Sequence, residues 1–148
     1  MITGDFSLVR LSDIMSAAPP PPTPVEVEKL EWTYADLNDE AQQASLANTR
    51  LGNLEAVKKL KQAAAVALLI EGRQGAAHRV NAHQALSSML LRLGDMAAAA
   101  HAACAALRAA REAGSRTWLI TGLSKCGEVA RHAPDEMAKE ERAESRSG

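Results

Sequence analysis

Arg50-Leu51-Gly52-Asn53-Leu54 returns as Arg92-Leu93-Gly94-Asp95-Met96, a step of 42 residues along the chain. At the same step Ser45 meets Ser87, Ala56 meets Ala98, Ala63-Ala64 meet Ala105-Ala106, and Gly72 meets Gly114. In this register the matched glycines close helices, where a left-handed residue costs little without a Cβ. The matched alanines and serines fall at helical spacing, where small side chains let neighbouring helices approach closely. A step of this size built from two helices is the pattern of a solenoid.

Working outward, Thr23-Pro24-Val25-Glu26 combines an N-cap threonine, a first-turn proline and a glutamate placed to close a capping box. Val27, Leu30, Tyr34 and Leu37 follow at helical spacing. Asn38-Asp39 offers a break and a new N-cap, so a second helix is expected to run from there to Leu51 and to stop at Gly52. Asn53 opens the next, through Leu54, Val57, Leu60, Ala64 and Leu68 to Gly72. Gly72-Arg73-Gln74-Gly75 reads as a loop; its GxxG spacing occurs in RNA-clamping loops, but no strands surround it. Helices are then predicted over 77–93, 96–113 and 116–131, with Ala133-Pro134-Asp135 ending the last and a polar helix closing the chain. The expected organisation is a disordered or docking arm over 1–22 that ends in a polyproline linker, a helical repeat domain over 23–132 and a polar tail or short capping helix over 133–148.

Composition supports an all-α fold. The 148 residues amount to one domain, and 47% of them are hydrophobic, enough to bury a core. Alanine occurs 30 times, whereas the aromatics are only Phe6, Trp32, Tyr34 and Trp118. A β-sandwich or barrel needs more β-branched and aromatic side chains than this. A net charge of −1 suggests neither nucleic acid nor membrane as a partner. The longest apolar runs, Ala63 to Ile70 and Met96 to Leu107, are shorter than the ~20 residues a bilayer needs. The beginning of the sequence has no basic-then-apolar leader pattern. Cys104 and Cys126 both fall in predicted helices, which suits a reducing, cytoplasmic location.

Charge is unevenly spread. Glu26, Glu28, Glu31, Asp36, Asp39 and Glu40 face only Lys29 in the stretch 24–49, whereas residues 50–132 carry a clear excess of Lys and Arg. An acidic helix therefore precedes a basic body, which either has solvated faces or attracts an acidic partner or its own acidic helix. Ahead of it, Phe6, Leu8, Val9, Leu11, Ile14 and Met15 form an apolar cluster that ends at Pro19–Pro22. Four consecutive prolines favour a stiff polyproline II spacer over an SH3 ligand, because no Arg or Lys lies beside them.

The pattern Ala85-Leu86-Ser87, Leu90, Gly94-Asp95, Ala99, Ala103 and Ala106-Leu107 resembles the tetratricopeptide repeat family. A first copy is carried by Ala44-Ser45, Asn48, Gly52-Asn53, Ala56 and Ala64, and a third, partial one by Leu123, Cys126-Gly127 and Ala130. The usual unit is about 34 residues, so the longer step resembles the longer-helix variety of the family. The resemblance implies a short right-handed α-solenoid of antiparallel helix pairs. It further implies a concave groove, lined by the first helices, that receives a peptide or helix from a protein partner. Carried over by motif position, the groove residues are Asp39, Gln42, Leu46, Thr49 and Arg50; then Asn81, Gln84, Ser88, Leu91 and Arg92; then Thr121, Ser124, Glu128 and Arg131. The lysines and asparagines of the family's carboxylate-clamp subgroup are largely absent.

No phosphate loop, dinucleotide fingerprint or HExxH pair occurs, so no motif points to an enzyme or a cofactor. His101, Cys104 and Cys126 have donor types that suit zinc, but cysteine in an alanine-rich helix behaves as a small hydrophobe, and no metal is expected. The function expected is therefore a non-enzymatic adaptor or scaffold that binds a peptide or helix of a protein partner, an acidic segment being one candidate. The alternative is a structural subunit built permanently into a larger assembly. Arg50, Arg92 and Arg131 either form a basic ladder along one groove edge or cap the last carbonyls of their own helices.

Overall fold

The computed structural model describes residues 23–147, and among them it contains six helices and no strand. These are α1 (Pro24–Ser45), α2 (Arg50–Leu68), α3 (Gly72–Leu93), α4 (Met96–Ala113), α5 (Arg116–His132) and α6 (Pro134–Ser147). The expected arm and its polyproline spacer lie outside the described residues.

Local chemistry sets most of the boundaries. Thr23 Oγ1 accepts from the Glu26 amide and Glu26 Oε2 accepts from the Thr23 amide, both at 3.2 Å, which completes the capping box. Asp95 and Ser115 cap α4 and α5 through the amides of Ala98 and Trp118. Gly94 and Gly114 end α3 and α4 in the left-handed conformation, as the sequence leads one to expect.

Three expectations are corrected. The helix does not break at Asn38-Asp39, because the apolar stripe runs on through buried Tyr34 and Ala41, and this burial outweighs the capping tendency of Asp39. The turn falls instead at residues 46–49, where Asn48 takes a φ of 49° and Thr49 Oγ1 accepts from the Gly52 amide at 3.0 Å. Gly52 therefore opens α2 rather than ending a helix. A Cβ there would come within 2.3 Å of the Ala44 carbonyl oxygen, so glycine is needed to let the two helices meet. Likewise Gly72 to Gly75 form the first turn of α3 and not a loop. In consequence the two matched pentapeptides occupy different places: one opens α2, while the other spans the end of α3, the turn and the start of α4.

Extensive packing is confined to helices one or two apart in the chain: each consecutive pair, α3 with α5, and α4 with α6. The core lies between them. Ala41, Val57, Leu60, Leu86, Met89, Leu90 and Ala99 form one cluster, and Ala100, Ala103, Cys104, Val129 and Met137 another. Helix α4 packs against α3, α5 and α6 and is the hub because it buries the most residues, among them Ala99, Ala100, Ala102, Ala103, Ala106, Ala109, Ala110 and Ala113. Side chains of one carbon let three helices surround it closely. Ser87 is fully buried against it and bonds the Ala99 carbonyl at 2.9 Å. Ala106 has no exposed surface, whereas Ala64 is half-buried, so the two are not equivalent contacts. Replacing Ala106 by Leu is expected to destabilise the fold by roughly 1–3 kcal/mol through overpacking, read from thermal melts.

Candidate functional site

The sites follow from where alternate helices leave space between them. Helices α3 and α5 bound a hollow of about 340 Å³ lined by Ser88, Leu91, Arg92, Met96, Glu128 and His132. Four of these, Ser88, Leu91, Arg92 and Glu128, are positions expected from the sequence. A residue that the sequence reading missed ties the two helices together. Lys125 is only 8% exposed, and its Nζ bonds Ser88 Oγ at 2.6 Å and Glu128 Oε2 at 2.7 Å. Its position three residues before Glu128 on a helix was the available signal.

A second hollow of about 430 Å³ adjoins the first, because Arg92 lines both; its other walls are Asn48, Arg50, Asn53 and Leu93. Arg50 and Arg92 thus converge, although one is the first residue of α2 and the other lies in the last turn of α3. Helix-end capping cannot account for Arg50, since a cation at a helix N-terminus faces the positive end of the dipole. Arg92 has the right position for capping, but its guanidinium reaches Met89 Sδ at 3.8 Å.

The remaining expected positions are dispersed. Asp39 and Gln42 are exposed on α1, Leu46 is exposed in the turn, and Thr49 is occupied as the N-cap of α2. Asn81 and Gln84 share a long hydrogen bond of 3.4 Å on α3. Thr121 bonds the Thr117 carbonyl, and Ser124 and Arg131 are exposed on α5. The first set is scattered because α1 runs past the expected break.

Groups of altered acidity are distributed over separate packing interfaces. Tyr34 donates to the His78 carbonyl at 2.9 Å and stacks on the His78 ring, whose Nε2 is 2.6 Å from Glu31. Burial, and then the Glu31 charge, pushes its phenol up to about 12. His83 lies with Arg79, Arg108, Glu112, Leu68 and several alanines around a third hollow, between α2 and α4. Burial first, then the charges of Arg108, Arg79 and His101, lowers it to about 4. Between α4 and α5 the neighbouring Cys126 thiol, together with burial, pushes the Cys104 thiol up, and the neighbouring Cys104 lowers Cys126. Cys104 also bonds Met137 Sδ at 3.7 Å, while exposed His101 turns to Glu140. Among the described residues no three or more His, Cys, Asp or Glu side chains are grouped to hold a metal.

Comparison with protein-family models, with curated proteins and with solved structures finds no match. Among the described residues no helix is long and apolar enough to cross a membrane.

Proposed function

We propose that the chain is a non-enzymatic interaction module, an adaptor or scaffold that takes a peptide or helix of a protein partner. In this reading the helices form a short right-handed solenoid of antiparallel, tetratricopeptide-like pairs. The hollow shared by Ser88, Leu91, Arg92 and Glu128 carries the reading, because positions on two different helices, expected from sequence to face a ligand, come together there. Packing only between helices one or two apart supports an open array. The spread of perturbed groups over separate interfaces favours binding over catalysis. The two free thiols suit a reducing, cytoplasmic setting.

His132 is exposed at the rim of the hollow, so His132→Trp fills it with little cost to folding. Affinity capture with the full chain, read by mass spectrometry, should lose its partner with His132→Trp and keep it with Arg111→Glu on the exposed side of α4. Equal capture by all three chains would remove the hollow from the account. A specific observation favours a second reading, a fixed subunit of a larger assembly: Leu119, Ile120 and Leu123 are exposed side by side on α5. Capture lost with Leu119→Asp/Ile120→Asp but kept with His132→Trp would select it.

A further inference from the structure

Arg50 and Arg92 are both exposed, and neither takes part in an ion pair among the described residues. They line one hollow at the opening turn of α2. That turn adds the positive end of a helix dipole and backbone amides that no helical carbonyl reaches. Two cations and a positive dipole end in one hollow repel one another until an anion joins them.

The floor of this hollow is fixed. Asn53 is 4% exposed, and its Nδ2 donates to Asn48 Oδ1 at 3.0 Å, holding the left-handed residue of the turn. Its own Oδ1 is buried without a partner; being an acceptor, it calls for a donor and gives no bond to an anion. Arg92 is common to both hollows, and beyond it stand apolar Leu91 and Met96. Glu128, the one acid in the second hollow, is held by Lys125 at 2.7 Å and does not oppose an incoming acid with a bare charge.

We infer that Arg50 and Arg92 form an anchor for a carboxylate side chain of a partner peptide, whose adjoining apolar residues lie on Leu91 and Met96. This inference rests on the interaction-module reading and assigns the class of peptide. An arginine fork matches the two oxygens of a carboxylate, and a pair of forks around one hollow selects an acid followed by apolar residues over a uniformly acidic chain.

The test uses the full, isotope-labelled chain and two blocked peptides, acetyl-Glu-Glu-Leu-Leu-amide and its Gln-Gln-Leu-Leu counterpart, followed by amide chemical shifts. The acidic peptide should shift residues 48–53 and 90–96 to saturation, and the glutamine peptide should bind about tenfold more weakly. Arg50→Gln/Arg92→Gln should weaken binding by about tenfold or more, Arg50→Lys/Arg92→Lys by a few-fold, and Arg111→Gln/Arg116→Gln hardly at all. Both anchor arginines are exposed, so thermal melts should show the variants folded. The anchor is overturned if shifts spread over all basic surfaces, if the control pair weakens binding equally, or if inorganic phosphate alone reproduces the shifts at the peptide's affinity. Capture lost with His132→Trp but untouched by Arg50→Gln/Arg92→Gln would sink the anchor and leave the module standing. Saturable peptide binding by a chain that captures no partner would sink the module and leave the anchor.

Discussion

Replacing Gly75 by alanine is expected to lower the melting temperature by about 10 °C, the largest effect of any single methyl group in this fold. Gly75 is buried in the first turn of α3, directly under the end of α2. A Cβ there would lie 1.7 Å from the Ile70 carbonyl oxygen, 2.7 Å from its carbon and 3.0 Å from the Ala67 carbonyl oxygen. All three atoms are backbone, so no side chain can swing aside and the α2–α3 turn itself must move. Alanine gains up to ~1 kcal/mol over glycine in helix propensity, which offsets part of the strain. The net loss should be about 3 kcal/mol. Gly127 is the control: it lies within α5 with nothing within 4 Å of its added Cβ. Gly127→Ala should therefore hold or raise stability, by up to ~1 kcal/mol. Thermal melts of the two variants should move in opposite directions, and a Gly75→Ala melt matching the native one would mean that the α2–α3 turn is not held as tightly as described.

The second large effect is acid sensitivity through His83. Its folded value of about 4 lies below the ordinary 6.5 because burial, then Arg108, Arg79 and His101, disfavour the imidazolium. Between pH 6.5 and pH 4 the unfolded chain binds a proton there that the folded chain refuses. Stability therefore rises with pH across this window and drains away as pH falls through it. The full difference is about 3 kcal/mol at pH 4 and below. His83 Nδ1 is buried without a hydrogen-bond partner, so nothing in the fold rewards protonation at that atom. Urea unfolding at pH 7 and pH 4.5 should show the native chain losing about 2–3 kcal/mol more than His83→Gln. Parallel losses in the two chains would show that His83 takes up its proton as readily folded as unfolded.

Sequence and structure agree where a local signal has one meaning. The capping box at Thr23 and Glu26, the helix-ending Gly94 and Gly114, and the alanine-rich hub are of that kind. They part where one residue type serves several purposes. Gly52 and Gly75 look in sequence like a helix stop and a loop, but both are close-approach positions, and only the neighbouring backbone reveals this. Asn38-Asp39 carries a capping signal that burial of Tyr34 and Ala41 overrides. The candidate site shows the same division. Ser88, Leu91 and Arg92 belong together because a helical face of α3 repeats every three to four residues, and Glu128 joins them from α5. Arg50 meets Arg92 for a reason unrelated to their matching pentapeptides, since the turn at residues 46–49 carries the start of α2 to the end of α3. Lys125 escaped notice because a lysine is rarely buried unless paired, and its partner Ser88 lies 37 residues away.

The neighbour-to-neighbour packing also governs how the chain gains and loses its structure. Each helix finds its main partners a short loop away, so little loop-closure entropy stands between the extended chain and its contacts, and topology favours rapid folding. The same economy makes stability uneven along the array. Helix α4 is gripped from three sides, whereas α1 ends the described array with Trp32 facing outward and α6 rests on α4 and α5 alone. Local openings should thus begin at these outer helices while the alanine hub stays closed, leaving amide protons of α4 the last to exchange with solvent.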